Sequence, residues 1–134
     1  IAQDVNAFQQ SQKLGSIFGI VATARPGQSL DKIQEVIDEE LDKLRREPPG
    51  EREMTRALNQ IEASFFRGME RVGGFSGKAD RLNAYYTWTG MPDYFEEDLA
   101  RYRATSAQDI SSAVTRYLPR DRRVELIVLP EEKQ

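Results

Sequence analysis

The sequence contains neither cysteine nor histidine. Without cysteine there can be no disulfide bond, thiolate zinc site, iron–sulfur cluster or cysteine nucleophile. Without histidine the chain lacks the usual base at neutral pH and the commonest nitrogen ligand for metals, so it cannot assemble a histidine-dependent zinc site or a Ser-His-Asp triad by itself. We therefore expect no catalytic, cofactor-binding or metal-binding residue within these 134 residues.

A broad basic surface and a long apolar run are also missing. The 19 Lys and Arg residues are outnumbered by 22 Asp and Glu residues, for a net charge of -3. This balance argues against a nucleic-acid partner, because phosphate neutralisation requires an excess of positive charge. No apolar run approaches the ~18 residues that cross a bilayer, and no secretory signal segment opens the chain. We expect no membrane span.

Nucleotide-binding glycine patterns are absent as well. Neither G-x-x-x-x-G-K-[ST] nor G-x-G-x-x-G occurs in the sequence. The nearest glycine-rich segment is Gly73-Gly74-Phe75-Ser76-Gly77, which joins two predicted helices and does not follow a strand. We interpret it as a turn and not as a ligand-binding loop.

What the sequence does contain predicts one α+β unit with the order β-β-α-α-α-α-α-β. Strands are expected at about 1–8, 14–24 and 123–129, with helices between 29 and 118. Both faces of the second strand are apolar or small, Ile17, Gly19 and Val21 on one and Phe18, Ile20 and Ala22 on the other. This pattern is typical of a strand inside a sheet, and we expect an antiparallel sheet covered on one side by about five helices. Gly15 and Gly19 would permit a bend or a close approach.

Local signals divide the helical region. Ser29 can cap the first helix, and the second, from about Glu51 to Gly73, has the clearest apolar stripe. The stripe consists of Met54, Leu58, Ile61, Phe65, Met69 and Val72. Gly90 ends a third helix, Pro92 opens a fourth, and Ser106 with Asp109 introduces a fifth. The closing strand would end at Pro130.

Charged residues form several clusters. The carboxylates lie at Asp38, Glu39, Glu40 and Asp42 and at Glu96, Glu97 and Asp98; the arginines lie at Arg45, Arg46, Arg120, Arg122 and Arg123. The carboxylates could hold a hard cation or supply an acid/base pair, but they lack the glycine-centred loop of a calcium site. We interpret them as solvated helix faces, and the arginines as partners of helix C-termini and turns.

Aromatic residues concentrate in the third and fourth predicted helices. They are Tyr85, Tyr86, Trp88, Tyr94, Phe95 and Tyr102. Helical spacing favours core packing, but six large rings exceed what two short helices need to bury. Part of this set could contact a neighbouring domain, another chain or a peptide.

A series of short segments carries a family resemblance along nearly the whole chain. They are Leu14-Gly15-Ser16, Ala22-Thr23-Ala24, Arg25-Pro26-Gly27, the helix with Ile33, Ile37, Leu41 and Leu44, then Glu53, Arg56-Ala57-Leu58-Asn59, Ala79, Leu82, Tyr86, Gly90, Thr105-Ser106-Ala107-Gln108-Asp109-Ile110, Tyr117-Leu118-Pro119 and Val124 to Pro130. Their order and spacing resemble the C-terminal half of one domain of the insulinase- and pitrilysin-type zinc metallopeptidases.

The resemblance implies a parent with two or four homologous α+β domains, arranged as halves of a clam shell around a substrate chamber. Zinc in such enzymes is held by two histidines of an inverted H-x-x-E-H motif and a later glutamate, while the motif glutamate activates water. None of these matches a residue here, and the motif would lie upstream of Ile1. Residues 1–134 are therefore expected to be a fragment or processed product, a partial domain of this type.

The half opposite the zinc often supplies an arginine and a tyrosine just before the first strand seen here. The corresponding stretch reads Gln3-Asp4-Val5-Asn6 and has no tyrosine. This departure favours the second domain of the zinc-bearing half, or a degenerate half. No site residue is carried over from the family.

The expected role is a non-catalytic structural domain fragment of a zinc-dependent metalloendopeptidase, shaping the substrate chamber. The expected partners are the remaining domains of the parent, the parent's peptide substrate and a second copy of the fragment. Two alternatives stay open: a scaffold or assembly subunit without protease activity, and a peptide-binding module. The resemblance suggests a bacterial periplasm or cell envelope; whether the parent is an active enzyme is left open.

Overall fold

The computed structural model describes residues 1–129. Two strands precede five helices, and their bounds are β1 (Ala2–Ser11), β2 (Ser16–Ala24), α1 (Leu30–Arg46), α2 (Glu51–Glu70), α3 (Lys78–Thr89), α4 (Phe95–Ala104) and α5 (Ala107–Tyr117). The predicted α+β class is confirmed, as is the order β-β-α-α-α-α-α. No helix in the described part of the chain is long and apolar enough to cross a membrane.

The strands β1 and β2 form an antiparallel hairpin. Its register runs from Val5 opposite Ala22 to Ser11 opposite Ser16. β1 extends three residues beyond its predicted end near Phe8, through polar side chains. It can do so because the ladder hydrogen bonds are made by the main chain, whatever the polarity of the side chains.

A close approach occurs inside the hairpin at Gly19. A Cβ atom at Gly19 would lie 2.5 Å from Cζ of Phe8, its cross-strand partner. No real Cβ atom tolerates such a distance, so the aromatic ring occupies the space that a side chain would need. The predicted close approach at Gly19 is confirmed.

Helix ends follow the local signals. The Ser29 side chain accepts a hydrogen bond from the backbone N–H of Lys32 at 3.4 Å, and Ser106 and Asp109 form the predicted capping box. Gly90 ends α3 in the left-handed region, with φ of 77°. The start of α4 differs from the prediction: Pro92 lies in a turn and the helix begins at Phe95.

Packing divides the helices into two groups. α1 contacts α5 and β2, while α2 contacts α3 and α4. The buried hydrophobic residues of the described chain come from four helices and are Ile33, Phe65, Leu99 and Val114. The predicted stripe of α2 is half-buried or buried as far as Met69, whereas Val72 lies beyond the helix and is exposed.

The predicted closing strand is wrong. Residues 123–129 form no strand, and each large apolar residue from Val124 to Leu129 is at least 55% exposed. A strand requires a partner for its backbone groups, and within residues 1–129 β1 and β2 pair only with each other. Pro130, which was predicted to end the strand, lies outside the described residues.

Candidate interdomain surface

One face of the hairpin is bare. The register places Phe8, Ile17 and Val21 on the same face, where they are 40%, 55% and 55% exposed. On the opposite face Ile20 and Ala22 are half-buried where β2 contacts α1, whereas Val5 and Phe18 are 56% and 46% exposed. The expected antiparallel sheet with five helices is confirmed, but α1 covers only part of one sheet face. The other face carries Phe8, Ile17 and Val21 beside the polar Asn6 and Gln10.

Half of the aromatic set packs inside the helical layer. The Tyr85 ring lies edge-on to Tyr94 and Phe95, with centroids 5.9 and 5.1 Å away, and Phe95 lies edge-on to Phe65 at 6.0 Å. Such T-shaped pairs are favourable because the positive ring edge meets the negative ring face. For Tyr85, Tyr94 and Phe95 the core-packing interpretation agrees with the structure.

Tyr85 also joins α3 to α4 through its hydroxyl group. That hydroxyl donates a 2.6 Å hydrogen bond to Asp98, and Arg81 donates to the Tyr85 oxygen at 3.4 Å. Burial, reinforced by the bond to Asp98, raises the pKa of Tyr85 to about 12. The phenol is therefore protonated at neutral pH and acts as a fixed donor, which suits a structural role.

The other aromatic residues face solvent. Tyr86, Trp88 and Tyr102 are 64%, 55% and 46% exposed. Exposed large aromatic rings are typical of contact surfaces, because each can bury a large apolar area while its polar atom remains hydrogen-bonded. The hypothesis that part of the aromatic set meets a partner stays a prediction, and these three rings are its candidates.

The first carboxylate cluster is not wholly a solvated face. Asp38 is 9% exposed and is bound by both terminal nitrogens of Arg123. Asp42 pairs with Arg45 and Arg120, and Arg45 also donates to the carbonyl oxygen of Leu118. The hydrogen bonds from Arg123 hold the pKa of Asp38 below its usual value.

These ion pairs correct the interpretation of Asp38 and Asp42 as part of a solvated helix face, whereas the bond from Arg45 to Leu118, the residue that caps α5, agrees with the expected pairing of arginine with a helix C-terminus. Asp38 and Asp42 lie four residues apart, about one helical turn, and Arg120 and Arg123 lie three residues apart. Two acids and two arginines at similar spacings were the sequence pattern that pointed to these ion pairs. It could not be used from sequence, because the pairs join positions 78 and 85 residues apart.

The structure places no metal centre among residues 1–129, where no group of three or more His, Cys, Asp or Glu residues is positioned to hold a metal ion. In the second carboxylate cluster Asp98 is half-buried and bound to Tyr85, while Glu96 and Glu97 are exposed. The described carboxylates thus serve as ion-pair partners, helix caps and solvated groups.

The glycine-rich segment is a turn that folds back on α2. Gly74 and Ser76 have φ of 81° and 61°, and the N–H groups of Lys78 and Ala79 donate to the carbonyl oxygens of Arg71 and Val72. The first N–H groups of α3 are thereby satisfied by the chain that follows α2. This agrees with the interpretation of the segment as a turn.

Residues 1–61, which form the hairpin, α1 and the first half of α2, match the family model described as the peptidase M16 inactive domain. Residues 1–61 are thus similar to the peptidase M16 inactive domain. The recognition made from the sequence is confirmed, and the matching domain is the inactive one. No curated protein matches the chain.

A solved structure shows the same fold. It is described as the inactive peptidase domain of a protein assigned as a zinc protease from Bordetella parapertussis. The two share 22% sequence identity with a TM-score of 0.80, and the match covers 99% of the present chain and 69% of the other. The backbone arrangement of this chain therefore recurs within a longer chain.

Proposed function

We propose that residues 1–134 are a partial insulinase-type peptidase domain, acting as a non-catalytic structural part of a zinc-dependent metalloendopeptidase. The main support for this proposal is the amount of surface that the chain exposes to solvent. The chain exposes 11098 Å², whereas a compact monomer of 15.3 kDa would expose about 7,100 Å². An excess of this size is typical of a piece that is covered by other parts of an assembly.

The character of the exposed residues supports the same role. Within residues 1–129 the exposed large hydrophobic residues far outnumber the buried ones, although a soluble monomer seldom leaves contiguous apolar patches of more than a few hundred Å² uncovered. The bare hairpin face around Val21 and the segment from Val124 to Leu129 are the main candidates for docking. We place the remaining domains of the parent against them.

In this role the chain contributes walls to the substrate chamber and no ligand to the metal. Zinc would be bound by the parent's other residues, and the parent's peptide substrate would be enclosed partly by this chain. The scaffold alternative differs in one respect only: its parent would carry substitutions in the H-x-x-E-H motif. Reading the parent's complete coding sequence separates the two.

The docking role is tested by splitting the parent. The present chain and the remainder of the parent are produced as separate polypeptides and mixed, and we expect one complex with restored zinc-dependent cleavage of a fluorogenic peptide. Val21→Asp places a charge on the bare hairpin face and should weaken the complex at least about tenfold, since a buried unpaired charge costs several kcal/mol.

Ser112→Asp is the matched control, because Ser112 is exposed on α5 and the added charge is the same. It should leave the affinity within about twofold, as expected for a surface substitution. Full activity of the remainder without this chain would refute the proposal. Equal weakening by both substitutions would show that docking does not use the hairpin face.

A further inference from the structure

The solvent-exposed face of α2 carries a row of arginines. Arg52 and Arg56 lie near the start of α2 and Arg67 lies in its last turn, and their spacing places all three on one side of the helix. Arg71 is the residue that caps the C-terminus of α2. All four are exposed. The apolar stripe that contains Leu58 and Phe65 lies on another side, where α2 packs.

Two shallow concavities follow this row. The larger has a volume of about 860 Å³ and lies along the first part of α2; the smaller, of about 500 Å³, lies where α2 meets α3. Arg67 borders both concavities. A helix of 20 residues is about 30 Å long, which sets the length of the surface.

A further guanidinium is held in place at the smaller concavity. The Arg81 Cζ atom lies 4.4 Å from the centroid of the Phe65 ring, and Nη1 donates to the Tyr85 hydroxyl at 3.4 Å. Its Nη2 atom lies beside the bare backbone of Gly68, 3.6 Å from where a Cβ atom would be. Arg81 is thus oriented by the core before any ligand arrives.

These arginines are not neutralised within the described chain. None of Arg52, Arg56, Arg67, Arg71 and Arg81 forms an ion pair among residues 1–129, whereas Arg45, Arg103, Arg120 and Arg123 all do. Like charges one helical turn apart repel each other, and the repulsion is relieved by a bound anion.

Three glutamates also border the concavities. Glu51 and Glu53 lie at the start of α2, where Glu53 accepts a hydrogen bond from the Gly50 N–H at 3.0 Å, and Glu70 lies near its end. Acidic residues in the first turn offset the helix dipole. The excess of positive charge is therefore concentrated around the smaller concavity, on a chain whose net charge is -3.

We propose that this arginine face binds an extended acidic polypeptide segment, whose carboxylates pair with Arg67, Arg71 and Arg81. A guanidinium presents two parallel N–H donors that match the two oxygens of a carboxylate. A surface about 30 Å long accommodates about nine residues of extended chain, whereas a single small anion would fill one end. Asn59 and Gln60 lie between the arginine pairs, where their amide groups can pair with a peptide backbone.

The test is fluorescence anisotropy of a labelled glutamate-rich peptide of about nine residues, titrated with the chain at low ionic strength. We expect saturable binding that weakens with added salt, and no binding of a lysine-rich peptide of equal length. Arg67→Gln/Arg71→Gln should weaken binding by about tenfold or more, because two charge-assisted pairs are lost.

The control is Arg101→Gln/Arg122→Gln, which removes the same charge from two exposed arginines that form no ion pair in the described chain. It should change the affinity by less than about twofold, since a distant surface charge acts only through the screened field. Circular dichroism of each variant verifies that the helices are retained.

Equal weakening by both double variants would overturn the proposal, because it would mean that only net charge matters. Equal affinity for the lysine-rich peptide, or no binding of the glutamate-rich one, would also overturn it. Displacement of the peptide by a lower concentration of a single-stranded oligonucleotide would assign the face to nucleic acid instead. No zinc and no other domain is needed for this measurement, so its result is independent of the docking role.

Discussion

Asp38 on α1 is bound by both terminal nitrogens of Arg123, which lies 85 residues further along the chain. Together with the pair between Asp42 and Arg120, this interaction attaches the segment after α5 to α1. The attachment is made by side chains, and no backbone ladder accompanies it in the described residues. Charge pairing thus positions a segment that was expected to be a strand.

Asp38→Asn should lower the free energy of unfolding at neutral pH by about 1–3 kcal/mol, because Arg123 loses its bidentate carboxylate partner and keeps only the pair with Glu125. The pKa of Asp38 is lowered in the folded state, so its contribution is present above the unfolded carboxyl pKa near ~4 and is lost as the pH falls through the folded value. Urea unfolding at a series of pH values should show a smaller acid loss in the variant than in the parent chain.

Glu39→Gln is the control for this measurement, since Glu39 is the exposed neighbour and forms no ion pair among residues 1–129. It should shift the stability by less than about 0.5 kcal/mol. If the two variants lost stability equally, the pairing with Arg123 would be energetically unimportant.

Phe65→Ala should destabilise the chain by roughly 2–5 kcal/mol, and Leu58→Ala should fall in the same range, because both lie on the packed stripe of α2. Phe66→Ala provides the contrast: Phe65 is 6% exposed and Phe66 is 54% exposed. Chemical unfolding monitored by circular dichroism measures the difference. A loss below about 0.5 kcal/mol for Phe65→Ala would contradict the packing of α2.

Gly68→Ala should destabilise the chain although alanine favours helix over glycine by about 1 kcal/mol. A Cβ atom at Gly68 would lie 2.8 Å from the Ser76 carbonyl oxygen, which is a backbone atom that cannot rotate away. We expect a net loss of about 1–3 kcal/mol from overpacking. In the control Gly73→Ala the added Cβ atom meets no atom within 4 Å, so the thermal stability should not change. If the two variants were equally stable, the turn at Ser76 would move aside without loss of stability.

Tyr85→Phe should cost about 1–3 kcal/mol at neutral pH, because Asp98 loses its donor. The Tyr85 pKa is raised to about 12, so the hydroxyl stabilises the fold below the unfolded value near ~10 and this contribution is lost as the pH rises through the folded value. Tyr86→Phe, at a 64% exposed position, should leave the free energy of unfolding unchanged. Titration of tyrosinate absorbance in the parent chain and in Tyr85→Phe identifies the group that the substitution removes. If that group titrated with the ordinary pKa of tyrosine, the raised pKa of Tyr85 would be contradicted.

The isolated chain should self-associate, most readily as a two-fold dimer. The outer edges of β1 and β2 are unpaired within the described residues, and such an edge is a template for a second copy. Light scattering after size exclusion over a hundredfold range of concentration provides the test. A mass of 15.3 kDa at every concentration would disprove it.

The local features were predictable because each depends on residues only a few positions apart. Ser29, Gly90 and the pair Ser106 and Asp109 mark helix ends through hydrogen bonds or backbone angles that span at most four residues. The stripe through Leu58 and Phe65 depends on the helical repeat alone. The absence of histidine and cysteine likewise required no structure.

The tertiary structure decided which distant groups meet. Asp38 and Arg123 have ordinary local contexts, and only the path of the chain brings a buried carboxylate to an arginine 85 residues away. From its local sequence Gly68 is only a glycine that disfavours the helix. Its role becomes clear from the turn at Ser76, which packs against its backbone. Val124 to Leu129 have a strand composition, but a strand forms only where a neighbour offers its backbone groups, and composition contains no information on that neighbour.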